Sequence, residues 1–189
     1  MNKKILAGVD EVGRGCLAGP VISCAVILKN NIDKKILRDS KTIPFSERIR
    51  IAHYIKKNSW YAIGLASVNE IDKLNIFNAT LLSMERAIKK QKKKPHLFLV
   101  DGTHAPKKFK NSRTVIRGDE KIKCISAASI VAKVYRDLYM IKLGSKFPQY
   151  CWNKNFGYGT LQHLDALKKF GVTSYHRISY RPVHKILFK

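Results

Sequence analysis

Ala7-Gly8-Val9-Asp10-Glu11-Val12-Gly13-Arg14-Gly15 is the stretch on which the fold turns. Its first part continues an apolar run from Ile5 to Val9, the pattern of a buried strand. That run stops on two adjacent carboxylates and a glycine-flanked arginine. Pro20 to Leu28, rich in β-branched residues, reads as a second strand. The link between them is too short for a crossover helix, so the two are expected to run antiparallel. The acids need a reason, because the chain carries 37 lysines and arginines against 13 acids, a formal charge of +24. The reason favoured by chemistry is a divalent cation held against phosphate.

Working outward, Ser46-Glu47 opens a helix that runs to Lys57, with Ile49, Ile51, Ala52 and Ile55 as its apolar stripe. Trp60 to Val68 alternates as a third strand. Asn78 to Lys90 is a helix with Leu81, Leu82, Met84, Ala87 and Ile88 on its apolar side. His96 to Val100 is a strand that stops at Asp101-Gly102, and Thr114 to Arg117 is a brief strand interrupted by Gly118-Asp119. Ile125 to Leu143 is the longest helix, amphipathic through Ala128, Val131, Ala132, Tyr135 and Leu138, and Leu161 to Phe170 is one more. No repeat or linker divides the chain. This order predicts an α/β fold: a mixed central sheet with antiparallel early strands, flanked by helices. Residues 1–189 are expected to form one domain, with the aromatic and basic stretch 145–189 as a helical extension.

The basic excess implies a polyanionic partner, because neutralising phosphates releases condensed counterions. Nucleic acid leads and an anionic membrane surface is second; a generally basic surface is the bland alternative. Cys16, Cys24, Cys124 and Cys151 show no metal-type spacing, and Cys24 and Cys124 sit in apolar segments as expected of buried free thiols. No apolar run is long enough to span a bilayer, and Met1-Asn2-Lys3-Lys4 leads into too few apolar residues for a signal peptide. A cytoplasmic protein is expected, and nothing demands more than a monomer.

Asp10-Glu11 and Asp101 share a context: each closes an expected strand before a glycine-containing turn. If the first and fourth strands are neighbours, these acids converge at a strand-end crevice, where α/β sheets bind ligands. Asp119, after the next strand, is a fourth candidate. Oxygen ligands without a histidine or cysteine cage suit magnesium or manganese. Several carboxylates around one phosphate suit two-metal hydrolysis. Strand-end acids are also common as solvated turn formers, and the shared placement is what moves the balance toward a site. His104 and His163 have no metal-type spacing, and Ser40 and Ser129 belong to no evident Ser-His-Asp set.

The segment Ala7 to Gly15, followed by Leu17-Ala18-Gly19-Pro20, closely resembles the signature of the ribonuclease HII family. These type 2 ribonucleases H cut RNA paired with, or embedded in, DNA. The resemblance continues through Asp39-Ser40-Lys41, the helix from Asn75 to Ala87, Val100-Asp101-Gly102, Gly118-Asp119 and Ala127 to Asp137. Gly157-Tyr158-Gly159-Thr160 and Tyr175 to Tyr180 complete it, in family order over nearly the whole chain. It implies a ribonuclease H-like fold with Asp10, Glu11, Asp101 and Asp119 as the metal-binding carboxylates, around magnesium or manganese and two ions with substrate bound. Asp137 is the other acid in a matching block. Its place inside a helix beside Arg136 favours a helix-surface ion pair there and Asp119 as the fourth ligand. Glu120 stands where the family usually has a small residue.

By the same resemblance Gly13-Arg14-Gly15 contacts the ribonucleotide 2′-hydroxyl, the group that separates RNA from DNA. Tyr158 packs on the adjacent deoxyribose, and Lys41 lies near the phosphate. His176 and Arg177 read as structural or phosphate-binding. The implied substrates are RNA–DNA hybrids and DNA duplexes containing ribonucleotides, cut on the 5′ side of the ribonucleotide to leave 3′-hydroxyl and 5′-phosphate ends. The implied roles are ribonucleotide removal from DNA and removal of RNA primers. Two rivals stand beside this reading: a non-catalytic hybrid-binding module, and a different two-metal nuclease such as a resolvase or integrase. The ribonuclease HIII branch normally carries an extra N-terminal domain, and only nine residues precede Asp10 here.

Overall fold

A computed structural model of the chain describes residues 4–30, 32–38, 40 and 42–188. Lys41 and Asp39 of the resemblance lie outside the described residues. Among the described residues five strands form one sheet: β1 (Leu6–Val12), β2 (Val21–Leu28), β3 (Ser59–Ala66), β4 (Leu97–Asp101) and β5 (Ser112–Val115), in the order β3-β2-β1-β4-β5. β2 pairs antiparallel with both β1 and β3, whereas β4 runs parallel to β1 and to β5. The register sets Val9 opposite Val100, which brings the ends of β1 and β4 to one edge of the sheet. The expected adjacency of the first and fourth strands is therefore present.

Alternation along β1 and β2 sends side chains to two different cores. Ala7, Val9, Ala25 and Ile27 pack on Met84, Ala87 and Ile88 of α2 (Val68–Lys89). On the other face Cys24 and Val26 pack with Ile51, Ala52 and Ile55 of α1 (Phe45–Lys57) and with α4 (Lys123–Lys146). Gly8 makes the second contact possible: a Cβ there would lie 2.1 Å from the Cys124 carbonyl carbon. With no side chain at Gly8, α4 settles directly on β1.

α2 begins ten residues before the helix expected from Asn78. Ser67 and Glu70 form a reciprocal capping box at its start, a signal readable as Ser67-x-x-Glu70. Asn75, at φ 64°, breaks the helix, and its Oδ1 accepts from Asn78 N–H at 3.0 Å to begin the second segment, which is the one the periodicity shows.

α4 is not the amphipathic helix expected. Cys124 to Ala132 are all buried, whereas Tyr135 and Leu138 are 40% and 45% exposed. Beyond Ala132, Val134 stays in the core with α1 and Asp137 faces Arg48, while Met140 and Leu143 are buried by further chain that packs on the helix. That chain comprises a 3₁₀ turn (Pro148–Tyr150), α5 (Trp152–Asn155), α6 (Leu161–Phe170) and α7 (Arg181–Leu187). Their core gathers Tyr150, Trp152, Leu167 and Val183 against Met140, Leu143, Leu17 and Ala18. The remaining helix, α3 (Gly118–Lys121), is a single turn after β5. No described helix is long and apolar enough to cross a membrane.

Candidate active site at the β1–β4 edge

Asp10 and Glu11 are consecutive residues of β1 and therefore point to opposite faces of the sheet. Asp10 faces α4 and is 5% exposed; its Oδ1 accepts the Glu11 N–H at 2.7 Å. Glu11 accepts from Arg14 through Oε1 at 3.3 Å, while its buried Oε2 has no hydrogen-bond partner among the described residues. Asp101 closes β4 and accepts the Gly118 N–H at 2.6 Å and the Asp119 N–H at 3.4 Å. Asp119 does not close a strand as expected. β5 stops at Val115, Arg117 turns left-handed at φ 54°, and Asp119 lies in the first turn of α3, 8% exposed. Those backbone bonds to Asp101 are what carry it to the same edge. Glu120, the departure from the family pattern, pairs outward with Arg117 at 2.8 Å.

All four carboxylates line one cleft of about 480 Å³ with Ser40, Arg48, Ser129, Lys133 and Tyr158. Burial, then the neighbouring Glu11 and Asp101 charges, hold the Asp10 carboxyl well above the usual range, with Ser129 easing it. Burial raises Glu11 too, opposed by Arg14. Asp101 is raised by burial and eased by the Gly118 N–H. Crowded, desolvated carboxylates with an unsatisfied oxygen are what a hard cation relieves, so the donor set fits a divalent ion. Among the described residues no three His, Cys, Asp or Glu side chains are already drawn into a closed cage. Several of these oxygens instead hold backbone N–H groups.

The cationic wall of the cleft went unread in the sequence. Lys133 Nζ lies 2.8 Å from Asp137 Oδ1, and Arg48 approaches Asp137 Oδ2 at 3.6 Å. Asp137 is fully buried, so the expected helix-surface ion pair with Arg136 is incorrect. Asp137 instead anchors the two cations at the cleft, and Arg48 also donates to the Ser40 carbonyl at 2.8 Å. The four-residue spacing from Lys133 to Asp137 was the available signal; Arg48 offered none, because only the fold brings α1 to α4.

Arg136 turns the other way. Its guanidinium is fully buried and donates to the carbonyls of Pro20, Ala18 and Phe156 at 3.0, 2.9 and 2.8 Å. Arg177, equally buried, donates to the carbonyls of Gly13, Arg14 and Gly19 at 2.7, 2.8 and 2.8 Å. Arg177 thereby ties down the Gly13-Arg14 backbone, while Arg136 ties the Ala18–Pro20 segment to Phe156. Gly13, at φ 96°, is itself buried, and a Cβ there would lie 2.1 Å from Arg136 Nε. Gly15 is exposed with open space where a Cβ would sit, and Arg14 is exposed. Of the two glycines expected to approach a substrate, only Gly15 is open to do so.

Tyr158 is 41% exposed, and Lys133 Nζ stands 5.8 Å from its ring centroid. The Leu17 N–H donates to the Gly157 carbonyl at 2.8 Å, so the Gly157-Tyr158-Gly159 and Gly13-Arg14-Gly15 loops are physically joined. His163 and His176 are buried structural groups, and His104 is exposed. A larger cavity, about 620 Å³, lies at the opposite end of the sheet near Leu6 and Trp60, away from the carboxylates.

The sequence model of the family described as ribonuclease HII matches residues 7–189. The chain is 56% identical to a ribonuclease HII of Pelagibacter ubique over 97% of its own length and 100% of that protein. Its fold is similar to the ribonuclease H2 of Pyrococcus horikoshii, with TM-score 0.82 at 24% identity over 96% of each chain. It is also similar to Bst-RNase HIII in complex with Mn2+, with TM-score 0.77 at 16% identity, covering 97% of this chain and 69% of that one.

Proposed function

The chain belongs to the ribonuclease HII family and is a type 2 ribonuclease H, and from that premise we propose how it works. It cuts the RNA strand of RNA–DNA hybrids and cleaves on the 5′ side of single ribonucleotides in duplex DNA, leaving 3′-hydroxyl and 5′-phosphate ends. The carrying observation is the convergence of Asp10, Glu11, Asp101 and Asp119 on one cleft that Lys133 and Arg48 also line.

Asp10, Glu11, Asp101 and Asp119 would hold the metal, magnesium or manganese; the manganese named for Bst-RNase HIII supports a divalent ion. Two such ions would activate water and stabilise the leaving oxygen of an in-line displacement. Lys133 and Arg48, braced by Asp137, hold the phosphate near the carboxylates without reading base sequence. In the Gly13-Arg14-Gly15 loop, Gly13 lets the turn pack on Arg136, Gly15 offers open backbone to the 2′-hydroxyl, and Arg14 adds charge. Tyr158 packs on the neighbouring deoxyribose. Lys41 completes the phosphate contacts. The chain acts as one catalytic unit in which 145–189 clamps the duplex, as a cytoplasmic monomer in ribonucleotide and primer removal.

The test is a labelled DNA duplex with one ribonucleotide, with magnesium, manganese or EDTA, using wild type and Asp10→Asn. Cutting by wild type on the 5′ side of the ribonucleotide in either metal, none in EDTA and none by Asp10→Asn is expected. Binding without cutting by wild type in both metals refutes the catalytic reading, and equal cutting by Asp10→Asn removes Asp10 from the site.

A further inference from the structure

The edge that carries the carboxylates opens on both faces of the sheet. The cleft described above lies on the α4 face. On the α2 face is a second groove of about 260 Å³, which shares Glu11 and Asp101 with the first. Its wall is apolar: Leu81 and Met84 of α2, with Phe77, which is 39% exposed. His104, from the loop after β4, meets Phe77 edge to face with ring centroids 4.9 Å apart. Its Nδ1 lies 2.8 Å from Thr103 Oγ1. Two backbone irregularities shape this groove. Asn75 breaks α2 just before Phe77, and Gly102, at φ 88°, turns the chain just after Asp101.

Charge decides what fits there. Arg14, the guanidinium that lines the groove among the described residues, is already bonded to Glu11, and Glu11 and Asp101 stand at its mouth. A phosphate in this groove would meet those carboxylates with one guanidinium to offset them, whereas the cleft across the edge sets both Lys133 and Arg48 beside its acids. The apolar ring and methyl groups suit the C–H face of a sugar. We propose that Phe77, backed by His104, is a subsite for the sugar of a nucleotide next to the cleaved bond. The bound strand then crosses the carboxylate edge, its reacting phosphate on the α4 face and this neighbouring sugar on the α2 face. The inference rests on the nucleic-acid substrate proposed above.

A scan of 2′-O-methyl groups tests it. Single modifications are placed at each of several positions either side of the ribonucleotide, and Kd is read by fluorescence anisotropy in EDTA for wild type and Phe77→Ala. Cleavage of the unmodified duplex with magnesium is read in parallel. Losing the ring contact should weaken unmodified duplex about fivefold, the scale of one partly buried apolar side chain. At one flanking position the methyl group should weaken wild type about tenfold and Phe77→Ala less than about twofold, the coupling expected of groups in contact. A profile unchanged by Phe77→Ala, in a wild type that binds and cuts, overturns the subsite and leaves the nuclease reading standing. A wild type that neither binds nor cuts overturns both.

Discussion

Acid should unfold this protein through a buried histidine pair, and the hydrogen bonds fix why. The Thr173 N–H donates to His176 Nδ1 at 3.0 Å, so the His176 proton sits on Nε2. That nitrogen lies 3.1 Å from His163 Nε2, which also accepts from Trp152 Nε1–H at 3.0 Å. His163 must then carry its proton on Nδ1, which donates to the Tyr158 carbonyl at 2.8 Å. Both rings are neutral, and a further proton on either would face a donor. Burial, then His163, accordingly push His176 from 6.5 down to about 3. His163 is lowered by burial as well.

A folded pKa below the unfolded one means that the unfolded chain binds protons first. The stability is therefore complete above pH 6.5 and is lost as pH falls from there toward 3. At about 1.36 kcal/mol for each pH unit below the unfolded pKa, His176 alone removes about 2 kcal/mol between roughly pH 7.5 and 5. That is roughly 4–8 °C in Tm for a chain of this size. Asp10 and Glu11, whose pKa values are raised, contribute with the opposite sign, so the wild-type slope alone is not diagnostic. The measurement is urea unfolding at pH 7.5 and 5.0 for wild type and His176→Gln, in which the amide still donates toward His163 but does not titrate. Wild type should lose about 2 kcal/mol more than the variant over this interval. Equal pH dependence, within about 0.5 kcal/mol, would refute the neutral-pair argument. The Tyr158 carbonyl belongs to the same network, so duplex binding should weaken with acid in wild type more than in His176→Gln.

Arg177→Met should cost about 3–6 kcal/mol in urea unfolding, because the carbonyls of Gly13, Arg14 and Gly19 each lose a buried charged donor. Arg177→Lys should recover less than half, since one ammonium cannot span the fork; full recovery would show that charge alone matters. Asp137→Asn should destabilise by about 3 kcal/mol and raise KM for duplex substrate, as Lys133 and Arg48 lose their anchor. An unchanged KM would detach those cations from the phosphate. Gly8→Ala should cost about 3 kcal/mol and reduce cleavage, because backbone at 2.1 Å must move and α4 carries Ser129 away from Asp10. A neutral result by thermal melting would mean that β1 and α4 can separate freely.

By itself, the sequence determined the strands and the carboxylates that stand near their ends. Continuous apolar or β-branched runs and, for β3, local alternation located β1, β2, β3 and β4 to within a few residues. The carboxylates Asp10, Glu11 and Asp101 were legible because each closes such a run. Where one side chain serves two neighbours far apart in the chain, local pattern carried no information. Asp137 read as a surface ion pair and is a fully buried anchor, and Arg177 read as ambiguous and is the brace of the Gly13-Arg14-Gly15 loop. Asp119 was expected at the end of a strand and lies instead in α3, which the Gly118 and Asp119 N–H bonds to Asp101 bring to the edge. α4 misled because the sheet and α1 bury its small residues while the C-terminal helices bury Met140 and Leu143, which erases the one-sided stripe that periodicity detects. Apolar runs and chain order sufficed for the sheet; the cation wall, the loop brace and the second groove required contacts between residues that the sequence keeps far apart.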